Sequence, residues 1–299
     1  KTLQKREIDK EIDDVIFTFG EKSSYGPRKT LIEKFNQIDQ EELIEELKSN
    51  DPISVIISNN GFLKARIGYS QYKSSKDFSE NEQIIANGKK SDKFIFLSSF
   101  GKSYTIDGDT FVFGSSKGRP FSSYFSLTEN EQIIDVFLLE ENKKILLSSS
   151  NGLGFFIKSN NLISNKKSGK KIFKIKKNDF LHSATKFEVS HTHLFLLIKN
   201  NAEIKGMILD IKEIPEQEKG SGIVLFKSKG YSLLASSPVS KKMEVFDNYS
   251  NKIINKLDFK KYIVPRGKAG KAIKLDANFT SLYRGFDNNY KLILWMKEK

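Results

Sequence analysis

Five hairpin-like segments, recurring at intervals of about 40 to 50 residues, constrain the fold of this chain more than any other feature. Each has two apolar runs joined by a turn, and the segments span residues 55–67, 94–107, 145–158, 194–209 and 242–254. The turns lie at Gly61, Gly101, Gly152, Asn201 and Asn248, residue types that tolerate the positive φ of tight hairpins. A hairpin repeated at this period predicts an all-β, propeller-like array of about five blades, each packed on its neighbours. An irregular β-sandwich is the competing interpretation, which five matched hairpins disfavour.

The first 50 residues have a different pattern, which predicts a short helical segment. Apolar residues keep helical spacing from Leu3 to Val15, and no N-cap precedes them, as in a helix cut mid-way from a longer protein. The run VIFTF at 15–19 predicts a short strand, and residues 36–50 predict a second helix that Asp51-Pro52 ends. We therefore expect the end of a helical arm and a linker at 1–50, and the β domain at 51–299.

Positive charge is concentrated in the β domain. The chain has 50 Lys and Arg against 37 Asp and Glu, a net charge of +13. Residues 1–50 carry nine basic and twelve acidic side chains, so residues 51–299 carry +16. A basic domain favours a polyanionic partner, with nucleic acid ahead of an anionic membrane. The alternative explanation is a Lys-rich proteome, which would raise the Lys content everywhere.

Other compositional features exclude several classes of protein. The chain has no cysteine, which excludes disulfides, thiolate metal sites and a Cys nucleophile and fits a reducing cytoplasm. No apolar run approaches the ~20 residues that span a membrane, and the N-terminus has no signal-peptide pattern. His191 and His193 could be metal ligands on one face of a strand, but with His182 the only other histidine, ordinary strand positions are favoured. No catalytic constellation or nucleotide-binding loop is present, so we expect no enzyme activity, metal or cofactor in this chain.

Glycine-containing basic loops separate the hairpins. Their sequences are SKGRP, KKSGKK, EKGSG and RGKAGK, and an array would carry them to equivalent positions around its outer rim. Lys and Arg neutralise DNA phosphates without reading bases, and glycine lets backbone N–H groups approach phosphate oxygens. The predicted DNA-binding residues are Lys117, Arg119, Lys166, Lys167, Lys170, Lys171, Arg266, Lys268 and Lys271. Arg28 and Lys29, within the segment 1–50, are further candidates.

Four segments resemble the C-terminal region of the A subunit of bacterial type IIA topoisomerases, most closely topoisomerase IV. They are residues 8–33, 52–65 (PISVIISNNGFLKA), 96–107 (FLSSFGKSYTID) and 147–175 (LSSSNGLGFFIKSNNLISNKKSGKKIFKI). The last is the most specific, since it is similar to a family pattern that contains GyGF and rnrAGKa. The likeness covers essentially the whole chain and is weakest between about residues 228 and 262.

The resemblance implies a fold and a function. In that family this region is a β-pinwheel, a propeller-like disc whose blades exchange strands. It binds and bends duplex DNA on a basic outer rim and presents the transported segment to the cleavage gate for decatenation and relaxation. The implied partners are duplex DNA, the B subunit of topoisomerase IV, and a second copy of the A subunit in a homodimer formed through an N-terminal region outside this chain. The implied location is the cytoplasm, on the nucleoid, and Mg²⁺ and ATP would bind elsewhere in the complete enzyme.

Two departures from family motifs refine this expectation. The catalytic tyrosine of the family follows an arginine, and this sequence has no Arg-Tyr pair, so we expect no DNA cleavage by this chain. The glycine- and arginine-rich box of gyrase is absent from GYSQYKSSKDF at 68–78, which favours topoisomerase IV over a gyrase DNA-wrapping domain. A non-catalytic protein-interaction propeller is the remaining alternative. It would place its charge in a patch on one face of the disc, whereas a DNA-binding domain would spread it across several blades.

Overall fold

The computed structural model describes residues 2–20, 22–23, 50–58, 61–70, 82–114, 118–239, 243–247, 252–257, 259–273, 282–286 and 292–296. The chain divides into two compact units, Lys1–Leu47 and Lys48–Lys299. Among the residues that the structure describes, no helix combines the length and the hydropathy that crossing a bilayer requires. Residues 36–49 of the second predicted helix lie outside the described residues.

The first unit contains helix α1, Thr2–Phe19, which confirms the predicted N-terminal helix. The short strand predicted at 15–19 was wrong, because α1 continues through those residues. The Thr18 hydroxyl donates to the Asp14 carbonyl at 2.8 Å, and the Gly20 N–H donates to the Ile16 carbonyl at 2.8 Å. The β-propensity of Val, Ile, Phe and Thr is a weak preference, which a helix already formed upstream overrides.

The second unit is built from five four-stranded sheets, which we call blades 1 to 5. A hairpin forms the centre of each of the first four blades and one half of the fifth, and all five predicted hairpins are confirmed. The hairpins are β1–β2 (Pro52–Ser58, Phe62–Ile67), β4–β5 (Lys93–Ser98, Lys102–Asp107), β8–β9 (Lys144–Ser149, Leu153–Lys158), β12–β13 (His193–Lys199, Ile204–Asp210) and β16–β17 (Met243–Asp247, Lys252–Leu257).

Two more strands complete each of blades 1 to 4, one at each edge, and all pairings are antiparallel. One edge is formed by β3 (Glu82–Lys89), β7 (Ile133–Leu138), β11 (Leu181–Phe187) and β15 (Ser232–Val239). The other edge is formed by β6 (Arg119–Pro120), β10 (Lys170–Lys171), β14 (Ile223–Val224) and β18 (Lys271–Ala272). Blade 5 differs, because its hairpin pairs in parallel with β20 (Leu292–Met296), which pairs with β19 (Leu282–Phe286).

The two-residue strands are exchanged between blades. After β5 of blade 2 the chain returns to blade 1, where β6 pairs with β2. In the same way β10 joins blade 2, β14 joins blade 3 and β18 joins blade 4, each from the segment that follows the next hairpin. A short helix, α2 (Phe259–Tyr262), precedes the last of them. This strand exchange confirms the predicted β-pinwheel.

Hydrophobic clusters lie between successive blades and hold them together. In β4, Phe94 and Phe96 pack into the cluster shared with blade 1, whereas Ile95 and Leu97 pack into the cluster shared with blade 3. Both faces of the strand are thus buried, as its unbroken apolar run requires. The edge strands β3, β7, β11 and β15 contact one another in series, and β19 contacts both β15 and β3, which closes the ring.

The hairpin turns follow a repeated Ser-x-x-Gly pattern in the first three blades. Gly61, Gly101 and Gly152 have φ of 77°, 74° and 87°, as predicted. Three residues before each glycine, a serine hydroxyl accepts from the backbone N–H that follows the glycine, at 3.1 to 3.3 Å. Positive φ was wrongly predicted at Asn201. That turn is held by the Asn200 side chain, whose Oδ1 accepts hydrogen bonds from the N–H groups of Ala202 and Glu203. Asn248 lies outside the described residues.

Candidate nucleic-acid interface

The exchanged strands and the loops beside them meet in a continuous band across four blades. We call residues 118–126, 165–174, 219–227 and 265–273 the exchange band. Three backbone hydrogen bonds link each loop to the next: Ser126 N–H to the Lys167 carbonyl at 2.8 Å, Lys174 N–H to the Gly220 carbonyl at 2.7 Å, and Gly267 N–H to the Leu225 carbonyl at 2.9 Å. The four predicted basic loops are therefore neighbours in space, although about 50 residues separate them in sequence.

A glycine stands immediately before each exchanged strand because the loop lies against the preceding blade. These glycines are Gly118, Gly169, Gly222 and Gly270. An added Cβ would lie 2.5 to 2.7 Å from the backbone of the preceding blade or, at Gly169, from the Tyr104 ring. We predicted from sequence that loop glycines admit phosphate oxygens, whereas the contact seen at these four is with the protein itself.

A buried residue anchors the chain directly after each exchanged strand. Phe121, Ile172, Leu225 and Ile273 are each at most 7% exposed. Their N–H groups donate to the hairpin-turn region of the preceding blade, to the carbonyls of Gly61, Gly101, Gly152 and Ile204, at 2.7 to 3.0 Å. With the backbone fixed on one side by glycine and on the other by this anchor, the intervening side chains of the first, second and fourth strands are exposed, whereas Ile223 of the third strand packs against a hydrophobic cluster.

The structure brings eight of the nine predicted DNA-binding residues into the exchange band, and Lys117 lies outside the described residues. The eight, all exposed, are Arg119, Lys166, Lys167, Lys170, Lys171, Arg266, Lys268 and Lys271. None of them forms an ion pair with a carboxylate of the described residues. Ion pairs occur instead away from these side chains, as in Lys90–Asp51 at 2.8 Å and Lys143–Glu188 at 2.7 Å. Among the described residues, these eight cations are therefore not neutralised by direct contact with a carboxylate. Arg28 and Lys29 also lie outside the described residues.

Three further lysines lie in the band that the sequence prediction did not select. Lys174 follows Phe173 and Lys227 follows Phe226, two residues after the buried anchor of each loop. Lys219 precedes Gly220 in the third loop. All three are exposed. The signal in the sequence was the repeated Phe-Lys pair after an exchanged strand, which becomes visible only once the strand itself is recognised.

A buried carboxylate beneath the second loop was also missed. Glu131 is 6% exposed and accepts hydrogen bonds from Ser98, from the Lys102 ammonium at 2.8 Å, from Tyr104 and from Thr128. Burial would raise its pKa, but the bonds from Lys102, Ser98 and Thr128 outweigh burial and lower the pKa to about 2. Burial and, next, the charge of Glu131 raise the pKa of Tyr104 above its ordinary value. Glu131 therefore fixes the ring on which Gly169 packs.

The histidines considered as metal ligands make local contacts. The His191 Nδ1 accepts from the Glu188 N–H at 2.8 Å, and its ring packs edge-on against Phe187. Burial lowers the pKa of His191, and the Glu188 charge opposes that shift. His193 Nδ1 lies 2.8 Å from the Thr192 hydroxyl. Within the part of the chain described, no three His, Asp or Glu side chains are grouped as a metal site.

Comparisons with known proteins agree with this fold. No family model matches the sequence. The A subunit of DNA topoisomerase 4 from Rickettsia bellii is 26% identical over 273 residues, which are 88% of this chain and 35% of that protein. The Caulobacter vibrioides protein of the same name is 27% identical over 191 residues, 63% of this chain and 24% of the relative. This chain thus spans about a third or less of the length of these relatives.

Solved structures show the same architecture. The Escherichia coli ParC C-terminal domain matches with a TM-score of 0.61 and 18% identity, over 75% of this chain and 94% of that one. A DNA gyrase A C-terminal domain matches with a TM-score of 0.52 and 18% identity, over 81% of each chain. At 18% identity these structural matches establish the fold alone. The similarity in sequence is to the topoisomerase 4 A subunits described above.

Proposed function

We propose that this chain, a homologue of the DNA topoisomerase 4 A subunit over 88% of its length, is the C-terminal DNA-binding domain of a type IIA topoisomerase. In this proposal duplex DNA is held along the exchange band. The observation that carries it is the continuity of the band: four loops hydrogen-bonded in series present eight exposed cations without ion pairs to the described carboxylates.

The chemistry of the band fits a backbone contact. Lys and Arg bind phosphate oxygens and release condensed counterions, which gives affinity without sequence preference. The side chains point out from short, anchored strands, and no element of the described band is long enough to enter a groove as a helix or a β-ribbon would. Because the band passes from blade to blade around a ring, a duplex in contact with several loops would have to bend.

The arrangement across blades favours DNA over a protein partner. A protein-interaction disc was expected to place its charge in a patch on one face. The exchange band instead spans blades 1 to 4, and each loop repeats the same glycine, strand and buried anchor. Gyrase is a close structural analogue, whereas the sequence relatives from Rickettsia, Caulobacter and Haemophilus are all topoisomerase IV proteins.

The remaining roles belong to the complete protein and are proposals of the same kind. We infer that the domain presents a transported DNA segment to a cleavage gate formed by regions outside this chain. The B subunit of topoisomerase IV would be one partner and a second copy of the A subunit the other, in the cytoplasm and on the nucleoid. Mg²⁺ and ATP would be bound in those other regions, and this chain would not itself cut DNA.

Binding of the 299-residue chain to a short fluorescent duplex, measured by anisotropy across a salt series, tests the proposal. Each phosphate neutralised contributes about −0.9 to the log–log slope, so eight contacts would give about −7. We expect a slope of several units that is the same for unrelated sequences. Lys170→Ala and Lys171→Ala should each reduce it by about one. Lys93→Ala, an exposed lysine outside the band, is the control and should leave it unchanged. A flat salt response would refute DNA binding by the band.

A further inference from the structure

The exchange band has one interruption, at the third exchanged strand. The first residue of the other three strands is basic: Arg119, Lys170 and Lys271. The third strand, β14, is Ile223–Val224 and carries no charge, although its pairing with blade 3 repeats that of the others. Val224 is 41% exposed, so this part of the band presents an apolar edge where its neighbours present cations.

The guanidinium of Arg266 covers this interruption from the next loop. Its Nη1 donates to the Val224 carbonyl at 3.1 Å, so the group lies beside β14 although Arg266 belongs to the loop before β18. The adjacent Gly267 N–H donates at 2.9 Å to the carbonyl of Leu225, the anchor that follows β14, which fixes the backbone of that loop beside the strand. Two independent bonds therefore hold Arg266 at the edge of blade 3.

One hydrogen bond leaves most of the guanidinium available. Arginine has five N–H donors in a planar fork, the structure gives one side-chain hydrogen bond of Arg266 among the described residues, and the residue is exposed, so the fork can also meet a phosphate. Glu213 is an opposing charge close by, since its carboxylate accepts from the Arg266 backbone N–H at 3.3 Å. A phosphate at this position would be attracted by the guanidinium and repelled by Glu213.

We propose that Arg266 supplies the phosphate contact of blade 3 from the loop of the following blade, in place of the basic residue that β14 lacks. The inference rests on the proposed DNA-binding function. Together with Lys219 and Lys227 of the third loop, Arg266 then joins the cations of blades 1 and 2 to those of blade 4 in one DNA path. Removal of Arg266 would leave the β14 edge of blade 3 without a cation, and a lysine on β14 itself would restore one.

Charge relocation tests this inference by salt-series anisotropy of the full chain with a short duplex. Arg266→Ala should reduce the salt slope by about one, whereas Lys93→Ala should not change it. Val224→Lys copies Lys171, its equivalent in blade 2, and added to R266A it should restore the slope. Glu213→Gln should tighten binding in the wild-type background and do so less in R266A. Circular dichroism would confirm that each variant is folded.

The outcomes separate this inference from the proposed function. If the wild type binds with a steep slope but R266A behaves like K93A, Arg266 is not a phosphate contact and the inference is overturned. The inference is also overturned if R266A weakens binding and V224K does not restore it, because the charge is then not needed at β14. If the wild type does not bind DNA at all, the proposed function fails and this inference fails with it.

Discussion

Replacement of Glu131 by glutamine should destabilise the fold strongly, because this carboxylate is buried and fully hydrogen-bonded. A carboxyl whose pKa falls from an ordinary 4.5 to about 2 on folding stabilises the native state by about 3 kcal/mol at pH 7, since one unit corresponds to about 1.4 kcal/mol. That figure already includes the ion pair with Lys102, whose side chain is only 20% exposed and would keep its charge without its partner.

The pH dependence of this loss follows from the direction of the pKa shift. Because the folded pKa is depressed, the stabilisation is complete above the unfolded pKa of about 4.5 and is lost as the pH falls towards 2. The stability difference between wild type and Glu131→Gln should therefore fall from about 3 kcal/mol at pH 7 to about 1 kcal/mol at pH 3. Urea denaturation followed by circular dichroism at pH 7, 5, 4 and 3 measures both values.

Matched variants make the result decisive. Glu129→Gln changes the same functional group two residues away at an exposed position and should cost less than about 0.5 kcal/mol. Lys102→Met in the E131Q background should recover part of the loss, since the unpaired ammonium is then removed. An E131Q protein as stable as E129Q at pH 7, or a gap that stays constant down to pH 3, would refute the reasoning.

Two further substitutions test how the strands are exchanged and how the blades pack. Gly222→Ala should cost about 2 to 4 kcal/mol in urea denaturation, because its φ is +71° and a Cβ would lie 2.6 Å from the Gly154 carbonyl oxygen. Gly114→Ala shares the positive φ but meets nothing within 4 Å, so about 1 kcal/mol is expected and equal losses would contradict the close-approach argument. Phe173→Ala, at a fully buried ring between blades, should cost about 3 to 5 kcal/mol and lower the thermal midpoint, whereas Phe180→Ala at a 46% exposed ring should change the midpoint little.

The hairpins could be predicted from the sequence because their information is local. Two apolar runs and a glycine turn lie within about 15 residues, and Gly61, Gly101 and Gly152 adopt the conformation that the pattern demands. The exchanged strands could not be found in the same way. Each has two residues, too short for any periodicity, and its partner lies in the preceding blade, so only the family resemblance indicated the exchange.

The candidate site could be predicted only as far as local sequence defines it. Composition and loop position identified eight cations that the structure brings into one band, since basic loops between equivalent hairpins occupy equivalent places. Sequence could not show that Arg266 reaches β14 or that Glu131 is buried, because both depend on contacts between segments distant in the chain. A glutamate in a polar turn is ordinarily an exposed residue.

Strand exchange also makes the order of synthesis matter. Blade 1 receives its fourth strand from residues 119–120, which follow the whole hairpin of blade 2, and the same delay recurs through blade 4. During translation each of these sheets therefore emerges with three strands and one edge still unpaired, and it is finished only when the exchanged strand has left the ribosome. A chain that stopped after β15 would lose the strand Lys271–Ala272 and leave blade 4 with an open edge, the kind of surface that recruits other chains. Each of blades 1 to 4 is therefore completed only after the hairpin of the next blade has been synthesised.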